Sequence, residues 1–584
     1  MTIGVERLFD ELGHFKRYQA CLYFAAVFQA ISCGIHYLAS VFLVETPKFL
    51  CGVENITDVL FVNHTAASLQ DIWSLYSPGK GPVVVQTAAG QQWELSQCQR
   101  ALRLDPGDDL RYVFNGTKNV EATCPGGFVY DLSEVHQSIV TDWDLVCENA
   151  WLAKLTQPTF MLGVLIGALL FGDVADRVGR KPILMATSLC QFMFGVAVAF
   201  SGNYYLFVTM RFLLAMVSSG YLVVVFVYVT EFTGSKVRTW TSLHVHAAFA
   251  VGIMVVALVG YLVRVWWIYQ IILTLSTAPF LLFCWSFPET PFYLVAKGRH
   301  QEAQQLLDTI ARFNGLPATL QVSDLLDSNA AEGAAIDEKV AEASGPAAHS
   351  GESEHKISIL DLFGSCRMAI RTVICWSIWF IGSLGYYVFS LGSVNLGGNQ
   401  YVNLFLVGLV EIPSYLIGCF LMDRVGRKKT CAPALLLSGV ACMIVIVVPN
   451  DIAVLAVVLN MTGKFAVAIA FGLIYLYTCE LYPTVIRSLA VGSGSMMCRV
   501  GSIVAPFCVY LADFWIYMPQ LIVGVLAFII GVLTMFLPET LGQPLTSTLE
   551  EAEALGTKPS KGTAKMGNPA SNECLELNQP MCKA

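Results

Sequence analysis

The chain has 584 residues, 55% of them hydrophobic and 13% charged, against about 25% charged in an average soluble domain. Its apolar residues gather into long runs, which excludes a soluble multidomain protein and points to an all-α polytopic membrane protein. A net charge of -8, from 35 basic and 43 acidic residues, excludes a nucleic-acid partner, which needs a basic face.

Apolar windows of about 20 residues, the length that crosses the hydrocarbon of a bilayer, can be placed twelve times. The first 17 residues are polar and show no cleavable signal, so span one, near 18–44, is the expected targeting anchor. The loop over 45–150 carries sequons at Asn55, Asn63 and Asn115 and four cysteines, Cys51, Cys98, Cys124 and Cys147. An even number in an oxidising compartment predicts two disulfides, with three connectivities open. Spans two to six fall within 151–287, near 153–173, 182–201, 205–230, 239–262 and 266–287.

In the segment 288–370, Ala303, Leu306, Leu307 and Ile310 stand at helical spacing within 299–313 and predict an amphipathic helix under the bundle, with Gly315 as its stop. Residues 324–355 carry eight acids and one lysine without apolar period and read as a disordered linker, as does the tail beyond about 556. Spans seven to twelve fall within 371–537, near 371–392, 401–421, 431–449, 453–478, 488–512 and 516–537, and residues 538–584 form the C-terminal tail. Arg177, Arg180 and Lys181 follow span two, Lys236 and Arg238 span four, and Arg424, Arg427, Lys428 and Lys429 span eight, whereas the short connections opposite carry no basic residue. Both termini and these exits are therefore expected in the cytoplasm, and the 45–150 loop outside.

The hexapeptide Asp-Arg-Val-Gly-Arg-Lys occurs at 176–181 and again at 423–428, 247 residues on. Glu231 and Arg238 recur as Glu480 and Arg487, and the Pro-Glu-Thr at Glu289 recurs at Glu539, at offsets of 249 and 250. Two parallel six-span repeats imply a central cavity between halves, open to either side by rocking. The loop Gly172-Asp-Val-Ala-Asp-Arg-Val-Gly-Arg-Lys181 and its copy after span eight resemble the signature of the major facilitator superfamily. The glycosylated loop, the Glu-x6-Arg pairs and Pro-Glu-Thr-Pro at 288–291 look like its organic ion branch, solute carrier family 22. Within that branch, Gly34-Ile-His-Tyr-Leu-Ala-Ser-Val-Phe42, the run at 393–399 and Glu-Leu-Tyr-Pro-Thr-Val-Ile-Arg at 480–487 look most like a carrier of carnitine and organic cations. The resemblance implies Cys51 paired with Cys124 and Cys98 with Cys147. It also implies a cytoplasmic gate in which Asp176, Arg177, Arg180, Glu231, Arg238, Asp423, Arg424, Arg427, Glu480 and Arg487 form partly solvated ion pairs that break in each cycle. The simpler account, that these charges only set topology, does not explain the aspartates or the identical hexapeptide.

Arg211, Glu411, Lys464 and Arg499 fall well within spans, where an unpaired charge costs about 2.5 to 3.5 kcal/mol on insertion scales. Arg499 is flanked by the small Gly492, Ser495 and Ser502, and suits a substrate carboxylate, which it can grip bidentately; an ion pair with Glu411 is the structural alternative. The resemblance agrees, since the branch's carriers of pure cations are similar in having Asp at this place and its carnitine and anion carriers Arg. The cationic end of a zwitterion needs aromatic faces. Candidates are Phe471 and Tyr475 on span ten, beside Asn460, Lys464 and Thr478, Trp379 and Tyr386 on span seven, beside Ser383 and Ser390, and Tyr221 on span four. Gln191 matches a family position that faces the cavity, and Glu411 completes the set.

His244 and His246, two apart, cannot share a metal from one helix face, and no cofactor is expected. No P-loop is present, so transport is facilitated or ion-coupled. Cys33 and Gly220 stand where the branch's sodium-coupled carnitine carrier has Asn, which predicts uptake without strict sodium dependence. The expected protein is a monomeric plasma-membrane carrier of zwitterions or organic cations. A polyamine or bulky-cation carrier of the same fold and a non-transporting receptor or scaffold are the alternatives; no nucleophile and base set supports an enzyme.

Overall fold

The computed structural model describes residues 12–51, 137–316, 359–449 and 452–543, with shorter pieces between 60 and 133 and between 546 and 555. Among these residues eleven helices are long and apolar enough to cross a membrane, and Met518–Thr534 is a shorter apolar twelfth. The first half contains α1 (Arg17–Leu38), α2 (Ala150–Val178), α3 (Arg180–Ala199), α4 (Tyr204–Phe232) and α5 (Ser235–Leu262). Its sixth span is broken into α6 (Trp266–Leu275) and α7 (Ala278–Phe283), because Pro279 has no N–H to carry the helical ladder across Ser276 and Thr277. After α8 (His300–Phe313) the second half runs through α9 (Cys366–Gly392), α10 (Gln400–Arg424), α11 (Arg427–Val447), α12 (Ala453–Leu481), α13 (Thr484–Tyr510) and α14 (Met518–Thr534), followed by the short α15 (Leu549–Ala554). Polar residues set several starts: the Asn203 side chain accepts from Leu206 N at 2.8 Å, and that of Asn399 from Tyr401 N at 3.0 Å.

The two halves repeat one packing plan. In the first, α1 lies on α5, α2 and α3 on α4, and α3 on α6; in the second, α9 lies on α13, α10 and α11 on α12, and α11 on α14. Close approach needs small residues: a Cβ on Gly34 of α1 would stand 2.6 Å from Phe249 O of α5, and one on Gly252 of α5 would stand 2.5 Å from Ile31 O.

The end of the bundle bearing the repeated hexapeptides is here the motif end, and that bearing residues 44–149 the loop end. Between α1 and α2, strands β1 (Phe49–Cys51) and β7 (Phe128–Tyr130) pair antiparallel. A second antiparallel sheet, ordered β3-β2-β4-β5-β6, is built from β2 (Leu60–Val62), β3 (Thr65–Ala67), β4 (Val83–Gln86), β5 (Gln92–Leu95) and β6 (Arg100–Arg103). Cys51 is joined to Cys124 and Cys98 to Cys147, with Cα separations of 5.5 and 5.7 Å. The sequons at Asn55, Asn63 and Asn115 and the acidic segment 324–355 lie outside the described residues.

At the motif end α8 buries Ala303, Leu306, Leu307 and Ile310 against the first half, and Asn314 fixes it by accepting from Tyr18 N at 3.0 Å. The hydrophobic clusters show where the halves meet. The cluster at the motif end of the first half contains residues of that half alone, whereas the loop-end cluster joins Ile253 and Val256 of α5 to Leu404 and Val407 of α10 and Met461 of α12. Phe42 stacks on Tyr401 with centroids 5.0 Å apart, Gln400 Nε2 donates to Glu45 Oε1 at 2.6 Å, and Lys154 of α2 forms an ion pair with Asp513 beyond α13. The halves are clamped at the loop end.

Candidate functional site

Helical spacing on α9 and α12 turns their aromatic stripes toward each other. Trp379 meets Tyr475 edge to face at 4.4 Å and Phe471 at 6.4 Å, and its indole N–H donates to Thr478 Oγ1 at 3.1 Å. Trp379 is fully buried, whereas Phe471 and Tyr475 are partly exposed, so the indole backs a wall on which the other two rings stand. Arg499 of α13 is also partly exposed and interacts electrostatically with Tyr475 and with Tyr37 of α1. Its Nη1 donates to Ser495 O at 3.1 Å and Ser495 Oγ at 2.6 Å, one turn back on its own helix. Among the described residues it has no acidic partner.

The acid that could have paired with Arg499 is engaged elsewhere. Glu411 Oε1 lies 2.6 Å from Lys464 Nζ, and both side chains are wholly buried. Tyr386 donates its hydroxyl to Glu411 Oε2 at 2.9 Å and offers its ring face to Lys464 Nζ, 3.1 Å from the centroid, while Lys464 donates to Ser390 Oγ at 2.8 Å. Glu411, Lys464 and Tyr386 therefore form a triad between α9, α10 and α12 in which the ammonium pairs with one carboxylate oxygen and the phenol bonds the other.

Two residues from the first half sit apart from this wall. Tyr221 is buried in the core of that half with its hydroxyl on Ala26 O at 2.9 Å. Gln191 lies in a buried polar knot, accepting from Gln29 at 3.3 Å and donating to Ser32 Oγ at 3.1 Å. The ring of His246 lies 5.5 Å from that of Tyr415 across the interface between halves.

At the motif end the repeated residues build two matching knots. Arg180 bonds Glu231 at 3.1 Å and Asp176 at 3.0 Å, and Arg427 bonds Glu480 at 2.9 Å. Arg177 pairs with Asp173, Arg424 lies over the Phe420 ring, Arg487 donates to Tyr482 O at 3.3 Å, and Asp423 is exposed. Arg238 lies on α5, its side chain outside the described residues. Among the described residues, every ion pair of these groups stays within one half. The Arg180, Glu231, Arg427 and Glu480 side chains are 13–18% exposed, so these pairs keep some contact with solvent.

Glu289 and Glu539, not among the gate residues expected from sequence, complete the knots. Glu289 accepts from Arg180 N at 3.0 Å and Lys181 N at 3.2 Å; Glu539 accepts from Arg427 N at 2.8 Å and Lys429 N at 3.3 Å. Each reaches the loop because Gly179 and Gly426 have φ near +115°; a Cβ there would stand 2.4 and 2.6 Å from the Oε2 of Glu289 and Glu539. Burial pushes the Glu539 carboxyl up, but the N–H groups of Arg427, Lys429, Leu541 and Thr540 outweigh it and leave its pKa below the ordinary value. The recurrence of Pro-Glu-Thr 250 residues on, close to the offset of the hexapeptide, was the signal for this pair.

Residues 127–552 match the family described as "Sugar (and other) transporter". The chain is 56% identical over 554 residues to solute carrier family 22 member 16 of Xenopus laevis, covering 95% of each. It is 33% identical over 554 residues to the human organic cation/carnitine transporter 2, covering 92% of each. Its fold is similar to that of the xylose transporter XylE from E. coli in a partially occluded inward open conformation, with a TM-score of 0.56 at 15% identity over 90% of this chain and all of that one.

Proposed function

For a chain that belongs to the major facilitator superfamily and, within it, to the organic ion transporters of solute carrier family 22, we propose carnitine and related zwitterions or organic cations as the solutes. The observation that carries this is Arg499, partly exposed, without an acid partner among the described residues and beside Tyr475. A guanidinium so placed grips a carboxylate with two parallel hydrogen bonds, and the Phe471 and Tyr475 faces receive the quaternary ammonium at the other end. Tyr386 takes no part as a cation face, because Lys464 already covers it. A relative at 33% identity carries carnitine in its name, which supports the same class.

The cycle is alternating access in the plasma membrane, with the motif end and both termini in the cytoplasm and the loop end, with its glycans, outside. The clamped loop end and the ion pairs kept within each half at the motif end support the reading of a carrier open toward the cytoplasm. Closing that side brings the knots of Arg180 and Arg427 against the opposite half, where they exchange partners. Sodium is not obligatory: Gly220 leaves room for the Phe171 ring, within 2.3 Å of where a Cβ would stand, so an Asn here would have to displace it.

Uptake of labelled carnitine into cells, wild type beside Arg499→Asp at equal surface expression, tests the assignment. The variant should lose at least about tenfold of the carnitine uptake, the scale expected when a hydrogen bond to a charged group is removed. Replacing sodium with an inert cation at matched potential should cost less than that. Undiminished carnitine uptake by Arg499→Asp with bulky cations still carried would assign the arginine to holding Ser495 and favour a carrier of pure cations. No carnitine uptake by surface-expressed wild type would refute the zwitterion outright.

A further inference from the structure

Arg211 of α4 lies two turns in from the loop end of its helix and is 1% exposed. Among the described residues none of its three guanidinium nitrogens meets a hydrogen-bond acceptor and no carboxylate lies within ion-pair distance. Two aromatic rings lie beside it: the guanidinium carbon stands 4.8 Å from the Phe160 centroid and 5.9 Å from that of Phe207. Cation–π contact offsets only part of the cost of burying a charge.

Two further side chains around it are in the same condition. His36 of α1 is wholly buried with neither ring nitrogen bonded, and Tyr269 of α6 is 1% exposed with its hydroxyl unbonded. The two rings beside Arg211 lead to both: Phe160 packs on Tyr37, next to His36 in the chain, with centroids 5.5 Å apart, and Phe207 on Trp266, one turn before Tyr269 on α6, at 5.7 Å; both groups also interact electrostatically with Arg211. Three helices thus bring together a permanent positive charge, an imidazole and a hydroxyl, all able to donate and none with an acceptor among the described residues. Buried polar groups are as a rule bonded, and so many unbonded donors around one charge call for a partner that accepts from all of them.

We propose that Arg211, Tyr269 and His36 form a binding site for a small inorganic anion of the size and charge of chloride. The site is in the first half, separate from Arg499 in the second, and it ties α1, α4 and α6 together by one shared acceptor. Tyr269 also lines a cavity at the loop end together with Glu45, Arg264 and Tyr401. Glu45 also acts on Tyr269, but its carboxylate is engaged by Gln400 at 2.6 Å and Arg264 shares the same cavity.

Thermal unfolding of the purified full-length protein, in sodium chloride against sodium gluconate at equal ionic strength, tests the site. The wild-type midpoint should rise saturably with chloride, bromide should replace chloride, and bulky gluconate should not. Tyr269→Phe, which removes one hydroxyl and keeps the ring, should need about tenfold more chloride for half the rise. Arg211→Gln should lose the chloride response altogether. Should Arg211→Gln fail to fold, Tyr269→Phe and anomalous scattering from bromide at Arg211 carry the test. A wild-type midpoint equal in chloride and gluconate overturns the proposal, as does a Tyr269→Phe titration identical to wild type. Stabilisation by carnitine in gluconate, lost in Tyr269→Phe, with no response to chloride, also overturns it and gives the site to the solute's carboxylate.

Discussion

In the first half Arg180 bonds Glu231 at 3.1 Å and Glu289 gathers the N–H groups of the hexapeptide loop; in the second, Arg427 bonds Glu480 at 2.9 Å and Glu539 gathers the same loop's counterpart. Both glutamates sit against a glycine at φ near +115°. Deeper in the bundle the correspondence ends. The second half places Arg499 on a partly exposed aromatic wall and locks Lys464 onto Glu411, while the first half surrounds Arg211 with phenylalanines. Duplication preserved what both halves do alike, which is to anchor the loop between two helix ends. It did not preserve the interior, where the zwitterion proposed as solute, with its unlike ends, would need unlike surroundings.

Lys464→Ala tests that interior asymmetry hardest, because it leaves Glu411 wholly buried without its cation. Breaking a buried pair from one side costs about 3–5 kcal/mol, so the variant should melt far below wild type or fail to reach the surface. Lys464→Met with Glu411→Gln removes both charges and should recover most of the loss. A single variant as stable as wild type would mean that the triad is not a structural lock, and that Lys464 and Glu411 are available to the solute after all.

The repeated knots predict a smaller and more even effect. Glu539→Gln weakens the acceptor for four N–H groups on a partly exposed residue, a loss of about 1 kcal/mol in thermal or denaturant unfolding, and Glu289→Gln should cost a similar amount. The pH dependence follows from the depressed folded pKa of Glu539. Its contribution is fully present above the unfolded value near 4.5 and is lost as pH falls through the lower folded value, so Glu539→Gln and wild type should converge only in acid. A Glu539→Gln loss several times that of Glu289→Gln would break the symmetry argued for the motif end.

The spans, the duplication and the amphipathic α8 were legible because each is written along one stretch of chain, as hydropathy, identity or period. Leu306, Leu307 and Ile310 have only one apolar face to bury, and they bury it. The stripes on α9 and α12 were legible for the same reason, and Trp379 does meet Tyr475. Choice of partner was not legible. Glu411 and Lys464 each had the right face for the cavity, yet they satisfy one another, and Tyr221 and Gln191 were correctly placed on their helices but covered by Ala26, Gln29 and Ser32. Period tells which side of its own helix a residue occupies; which neighbour covers that side depends on packing from distant parts of the chain. The strands between Phe49 and Tyr130 escaped for another reason, since runs of three or four residues are too short to establish a period.

The smallest expected effect concerns the clamp at the loop end. Lys154 and Asp513 are 41% and 59% exposed, and an exposed ion pair is worth about 0.2–1 kcal/mol, so Lys154→Ala should shift the balance toward an opened loop end by no more than about fivefold. The clamp rests mainly on packing: Phe42 stacks on Tyr401, and α10 approaches α5 so closely that a Cβ on Gly408 would stand 2.7 Å from Ala250 O. Gly408→Val should therefore force the halves apart there, where Lys154→Ala barely loosens them. Hydrogen exchange over residues 400–410 separates the two, with strong deprotection expected in the glycine variant and little in the lysine variant. The opposite ranking would make the clamp electrostatic and salt-sensitive, and would remove steric contact between α5 and α10 as the reason why the loop end is shut.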